Sequence, residues 1–177
     1  MRLPGFHLSE KGREEIVETA KFLQDKHISA LYASPLLRAQ ETARIIQKEI
    51  NIPTIHTSKQ LLELKTSYQG KPFSELDPKQ FWVYTKPLNK TDETMEQVGE
   101  RMVSFVNETL QKHPGKAIVA CGHGDPIMIL YAIMNKKPLH PQSVKGGIYS
   151  KHGEVFQLTD ENGKQSMQNV FIPKLSK

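Results

Sequence analysis

Ala117-Ile118-Val119-Ala120-Cys121-Gly122-His123-Gly124-Asp125-Pro126 spells a strand running into a helix. The first five residues are an apolar run with β-branched members, bounded by Gly115 and Gly122, which predicts a strand covered on both faces. Asp125 suits the N-cap of the next helix and Pro126 its first helical position, with the helix continuing to Met134. His123 would then leave the carboxyl end of a parallel strand beside a helix N-terminus, where unpaired N–H groups favour an anion. A phosphate is the guest that such a junction invites.

The same kind of junction occurs earlier. Ile28-Ser29-Ala30-Leu31-Tyr32 reads as a strand, Ser34 as an N-cap, Pro35 as the first helical residue and 36–49 as a helix. Arg38 falls in that helix's first turn, able to reach back over the sheet edge that carries His123. A histidine from one turn and a planar, fork-shaped cation from the other make a phosphoryl site.

Residues 9–24 and 94–112 carry the apolar spacing of helices, with Ile16, Ala20 and Leu23 on one stripe and Met95, Val98, Met102, Phe105 and Thr109 on the other. Strand candidates are 53–56, 146–150, 154–159 and 169–172. Helix and strand alternate through the first two thirds, which predicts an α/β three-layer sandwich with a mostly parallel central sheet and a C-terminal hairpin added to it. Residues 65–92 break the alternation with Tyr68, Phe73, Phe81, Trp82, Tyr84 and three prolines, a composition that suits either a lid or a segment packed on the body.

With 177 residues, 37% of them hydrophobic, and no repeat or Gly/Ser linker, residues 1–177 are expected to form one domain. The apolar run 127–134 is too short to span a bilayer and the amino end has no signal-peptide core, so no membrane partner and a cytoplasmic location are expected. A single cysteine excludes an intrachain disulfide, and neither C-x-x-C nor H-E-x-x-H is present, so neither metal nor cofactor is expected. A cysteine phosphatase is excluded as well, because Ile127 stands six residues after Cys121, where a C-x5-R loop needs arginine. The net charge of +5 and pI near 9.2 steer anions toward the chain. Its lysines are scattered and not interleaved with aromatics, so the expected partner is a small phosphorylated substrate and not nucleic acid.

Several stretches together resemble the histidine phosphatase superfamily, the phosphoglycerate mutase-like proteins. Ser34-Pro35-Leu36-Leu37-Arg38-Ala39-Gln40-Glu41-Thr42-Ala43 is similar to its S-x-L-x-R-A-x-x-T-A segment, and His123-Gly124 to its second histidine motif. Leu8-Ser9-Glu10-Lys11-Gly12 resembles the lead into the first helix, and Leu61-Leu62-Glu63-Leu64 the L-x-E segment that supplies an acid. Tyr68-Gln69-Gly70-Lys71 stands where many members have aromatic-Glu-Gly, and Glu93-Thr94 with Arg101 resembles a G-E-[ST]…R stretch, with Asp92 in place of the glycine. The resemblance implies Arg38, His123 and Gly124 as phosphate-binding residues, and Arg38, His123 and Glu63 as catalytic ones, with Glu63 protonating the leaving oxygen.

One family feature is missing. Members end their first strand in Arg-His-Gly, which supplies the nucleophilic histidine, and this chain contains no Arg-His pair. Residues 1–6 resemble a loop downstream of that triplet, so the domain is expected to be N-terminally incomplete, with its first strand missing and its neighbours' backbone groups unpaired at about 1–3 kcal/mol for each buried one. Lys151-His152-Gly153 imitates the triplet, but it lies between two strand candidates and reads as a hairpin turn. His7 reads as an exposed loop residue. The expected function is hydrolysis of phosphate monoesters through a phosphohistidine whose nucleophile lies outside these residues, the chain itself being inactive. A phosphomutase of the same fold and a non-catalytic phospho-ligand-binding remnant are the alternatives.

Overall fold

The structure is a computed structural model and describes residues 2–71, 84, 87–145 and 149–176. Its first helix, α1 (Glu10–Leu23), starts at Ser9, whose side chain accepts from the Gly12 N–H, and leads to β1 (Ile28–Ala33). Helix α2 (Leu37–Ile50) ends at Asn51, held at a left-handed φ of 52°, and β2 (Ile55–Thr57) follows. Beyond a 3-10 turn at Lys59–Leu61 come α3 (Met95–Lys112), β3 (Ala117–Cys121), α4 (Gly124–Met134) and the short α5 (Pro141–Lys145). The chain finishes with β4 (Val155–Glu161), β5 (Lys164–Phe171) and a last 3-10 turn.

Three strands form a parallel sheet in the order β2-β1-β3. Side chains alternate across it, as strand geometry requires. Leu31 and Ala33 face Ile16, Ala20 and Leu23 of α1 and Ala43 and Ile46 of α2. Ala30 and Tyr32 face Val98, Met102 and Phe105 of α3 and Met128 and Ile129 of α4. The result is the expected sandwich, with α1 and α2 on one face and α3 and α4 on the other. Pairing of Ala33 with Cys121 brings the ends of β1 and β3 level, and the Ser34 N–H donates to the Cys121 carbonyl at 2.9 Å.

The C-terminal hairpin differs from expectation. Its turn is Asn162-Gly163, both residues at positive φ as a tight two-residue turn demands, and not Lys151-His152-Gly153. The latter is a turn that enters β4, with Gly153 at φ 71°; residues 146–148 of the strand candidate before it lie outside the described residues, and Tyr149 and Ser150 are not in a strand. Nor is the hairpin added to the parallel sheet: among the described residues β4 and β5 form a separate antiparallel pair. Helices from both layers nevertheless hold it. From α1, Phe22 stacks on Phe171 at 4.5 Å and Thr19 Oγ1 donates to the Gly153 carbonyl at 2.6 Å. On the other face, Tyr131 of α4 meets Phe156 edge-on, and Asn135 Nδ2 donates to the Met167 carbonyl at 2.8 Å.

Strand β3 is therefore an edge strand among the described residues. Its outer side takes no strand partner, and Ala117 and Ala120 are exposed, which corrects the reading of this run as covered on both faces. The same two helical layers roof two sheets that no backbone hydrogen bond joins among the described residues. Of the interrupting segment 65–92, residues 72–83 and 85–86 lie outside the described residues, while Tyr68 is buried and Tyr84 half-buried. No described helix is long and apolar enough to cross a membrane.

Candidate active site

His123 occupies the N-cap position of α4, with extended backbone and no side-chain capping bond, and the helix begins at Gly124. Asp125 is thus inside the first turn and does not cap; Pro126 is the third helical residue. With the backbone extended at His123, its imidazole turns across the sheet end, and its Nε2 lies 2.8 Å from Ser34 Oγ. Ser34 is likewise not the cap of α2: Leu36 holds that position without a side-chain bond, and Ser34 is fully buried. Its carbonyl accepts from Gln40 Nε2 at 2.7 Å, which fixes the turn between β1 and α2.

His123 is 6% exposed, and its pKa falls to about 3, first through burial and then through the positive charge of Arg38, with Arg101 and Arg2 adding less. It is a neutral imidazole at pH 7. Arg38, the second residue of α2, is half-buried; burial lowers its pKa while the Glu63 charge raises it. One guanidinium therefore acts on both His123 and Glu63, and the structure brings the sequence-derived residues Arg38, His123 and Glu63 into one electrostatic neighbourhood, with Gly124 beside His123.

Glu63 is delivered by a loop pinned on both sides, since Leu61 and Leu64 are each 1% exposed. Burial is the main cause raising its pKa, followed by the negative charge of Asp125; the Leu64 N–H, which donates to Oε1 at 2.9 Å, and Arg38 act against them. Two further arginines hold the loop's backbone. Arg2 Nε donates to the Glu63 carbonyl at 2.6 Å, and Arg101 Nη1 to the Gln60 carbonyl at 2.6 Å. Glu93 ties them together, accepting from Arg2 Nη2 at 2.7 Å, Arg101 Nε at 3.1 Å and the Lys65 N–H at 2.9 Å. Glu93 and Arg101 carried a signal in the sequence; Arg2 carried none.

Three other residues at this place, Asp125, Tyr149 and Tyr84, were not singled out as site residues in the sequence. Tyr149 Oη donates to Asp125 Oδ1 at 2.5 Å, and Asp125 is 8% exposed. Tyr84 stands in the same carboxylate's field, its pKa pushed up by burial and by Asp125. The spare histidines are elsewhere. His7 is a surface residue whose Nδ1 meets Glu41 Oε1 at 2.7 Å, and His152 lies exposed in the turn before β4. No group of three His, Cys, Asp or Glu side chains among the described residues is arranged to hold a metal.

Comparison with known proteins gives a consistent family. The model of the histidine phosphatase superfamily (branch 1) matches residues 2–168. The uncharacterized protein Rv0525 of Mycobacterium tuberculosis is 31% identical over 144 residues, covering 78% of this chain and 71% of its own length. A metal-independent phosphoserine phosphatase of Arabidopsis thaliana is 26% identical over 134 residues, covering 70% of this chain and 56% of its own. Among solved structures, YhfR of Bacillus stearothermophilus superposes with a TM-score of 0.79 at 24% identity, over 95% of this chain and 86% of that one, a likeness of fold.

Proposed function

The chain belongs to the histidine phosphatase superfamily, and from that membership we propose that it is the larger part of a metal-independent phosphatase that hydrolyses small phosphate monoesters through a phosphohistidine. The observation that carries this reading is the convergence of Arg38, a neutral His123 and a Glu63 biased toward its protonated form on one end of a parallel sheet. A hydrolase named for phosphoserine among the relatives supports the reaction class.

The nucleophile is not in these residues. No Arg-His pair exists, and among the described residues β3 offers an outer edge without a strand partner two residues before His123, while α1 and α4 both hold the separate hairpin. A parallel strand paired with that edge would end level with His123 and complete the roofed core. From its end a histidine Nε2 attacks phosphorus in line; the N–P bond forms as the P–O bond to the leaving group breaks. Arg38 holds the equatorial oxygens, His123 donates an N–H to them, and Glu63 gives its proton to the leaving oxygen. Glu63, now a carboxylate, takes a proton from water as the water attacks phosphorus, releasing phosphate and the free histidine.

Vanadate and phosphate titrations test the pocket in the 177-residue chain without any need for turnover. Arg38→Ala and His123→Ala should each weaken binding by about 1.5–3 kcal/mol, the worth of a charge-assisted hydrogen bond. Unchanged affinity in both variants would remove the phosphate site.

A further inference from the structure

Two aromatic rings at the site stand open to solvent, and the reaction just described uses neither. Tyr149 is the first. Its hydroxyl donates to Asp125 Oδ1, in the first turn of α4, at 2.5 Å, so one end of the ring is tethered while the residue stays 37% exposed. Gly124 shows where the ring lies. In a helix the Cα–Cβ bond tilts toward the N-terminus, so whatever meets a Cβ built on Gly124, the first helical residue, lies over the end that His123 caps. That neighbour is Tyr149: such a Cβ would stand 2.5 Å from its hydroxyl oxygen, 2.9 Å from Cζ and 3.1 Å from Cε1. The ring edge therefore leans over the helix end that presents His123, and no residue larger than glycine fits at 124 without displacing it.

Phe6, 48% exposed, is the second. Its segment is tied down before and after it. Arg2 Nε donates to the Glu63 carbonyl at 2.6 Å, while the Leu8 N–H donates to Glu41 Oε2 at 2.8 Å and His7 Nδ1 meets Glu41 Oε1 at 2.7 Å. Glu41 lies one turn beyond Arg38 on α2. Residues 2–8 thus run from the loop that carries Glu63 to the helix that carries Arg38, and Phe6 sits on that crossing.

Resting on the reading of this site as a phosphatase's, we propose that Tyr149 is a specificity-determining residue, selecting phosphate monoesters whose leaving group carries a planar aromatic ring, with Phe6 offering a second apolar face on the entry segment. Charge on Arg38 and an N–H of His123 serve the phosphoryl end of every substrate alike. What separates one ester from another is the group beyond the bridging oxygen. A ring tethered by its hydroxyl has already lost most of its freedom, so stacking a second ring on it costs little further ordering. Offset or edge-to-face contact between the two rings then adds to the burial of apolar area, and a small polar leaving group gains neither.

Equilibrium titration of the 177-residue chain with phenyl phosphate and with ethyl phosphate tests this, since a chain without the nucleophile holds an ester intact. Phenyl phosphate should bind about threefold to tenfold more tightly, the worth of one aromatic pair. That ratio should fall to near one in Tyr149→Ala and keep part of its value in Tyr149→Phe, which retains the ring and gives up its tether. Reading the ratio cancels any common effect on the phosphoryl end. Equal binding of the two esters by the unaltered chain would overturn the proposal, and so would an undiminished ratio in Tyr149→Ala; if that variant does not fold, Tyr149→Leu is read the same way. Equal binding leaves the phosphate site standing, whereas failure of vanadate, phosphate and both esters to bind would remove the phosphatase reading and this inference with it.

Discussion

Ser34 places its hydroxyl 2.8 Å from His123 Nε2, and this bond orients an imidazole that burial keeps neutral. On the proposed reading, a neutral ring in that position donates its one N–H to phosphate without competing for a proton, and acid catalysis falls to Glu63. Glu63→Gln in the catalytically complete protein should therefore slow esters of poor leaving groups far more than nitrophenyl phosphate, whose leaving oxygen needs little protonation. Steady-state rates on the two substrates check this, and equal losses would assign Glu63 to binding or structure. At this scale the placement of Arg38 and His123 just beyond β1 and β3 was legible from residue type and position, whereas Glu63 was picked out only by its resemblance to an L-x-E segment. The sequence was opaque at Ser34 and Asp125. Both residue types favour N-caps, both precede or open a helix, and each is drawn instead into contacts with partners 89 and 24 positions away in the chain.

Helix α3 shows the opposite case, in which local chemistry suffices. Thr94 accepts from the Gln97 N–H and Gln97 Oε1 accepts from the Thr94 N–H, a reciprocal capping box at the point where Glu93 clamps Arg2 and Arg101. Thr94→Ala should cost about 1 kcal/mol, measured by denaturant unfolding, while Thr94→Ser should cost much less. An unchanged midpoint in Thr94→Ala would show that tertiary packing alone sets this helix start. The stripe Val98, Met102, Phe105 and Thr109 of α3 was legible because 3.6-residue spacing acts within one element, whereas Ser9 and Thr94 were read only as the first residues of their helices and prove to be the caps. Strand partnership is not local. Ala117–Cys121 has the composition of a central strand, and the exposure of Ala117 and Ala120 depends on whether another strand lies alongside.

Across the whole molecule, acid should unfold the chain in two stages. His123, titrating near 6.5 when unfolded and near 3 when folded, contributes stability that is complete above about pH 6.5 and lost as pH falls toward 3. Glu41, held down to about 2 first by the Leu8 N–H and then by His7, contributes stability that is lost between about 4.5 and 2. Glu63 runs the other way, since its raised pKa costs stability as pH rises through it. Unfolding midpoints measured from pH 7.5 to 3.5 should fall, and His123→Gln should flatten the slope between pH 6.5 and 4.5 while Glu41→Gln leaves that part unchanged; a slope preserved in His123→Gln would contradict the buried, neutral histidine. The split of the roofed core into two sheets bears on activity itself. The most direct measurement is nitrophenyl phosphate hydrolysis, without added metal, by the 177-residue chain and by a chain extended with the in-frame coding sequence before Met1. The expected result is no turnover by the shorter chain, and turnover by the longer one where its added segment supplies an apolar strand ending in Arg-His-Gly. Robust hydrolysis by the 177-residue chain, abolished by changing His152 or His7, would contradict it.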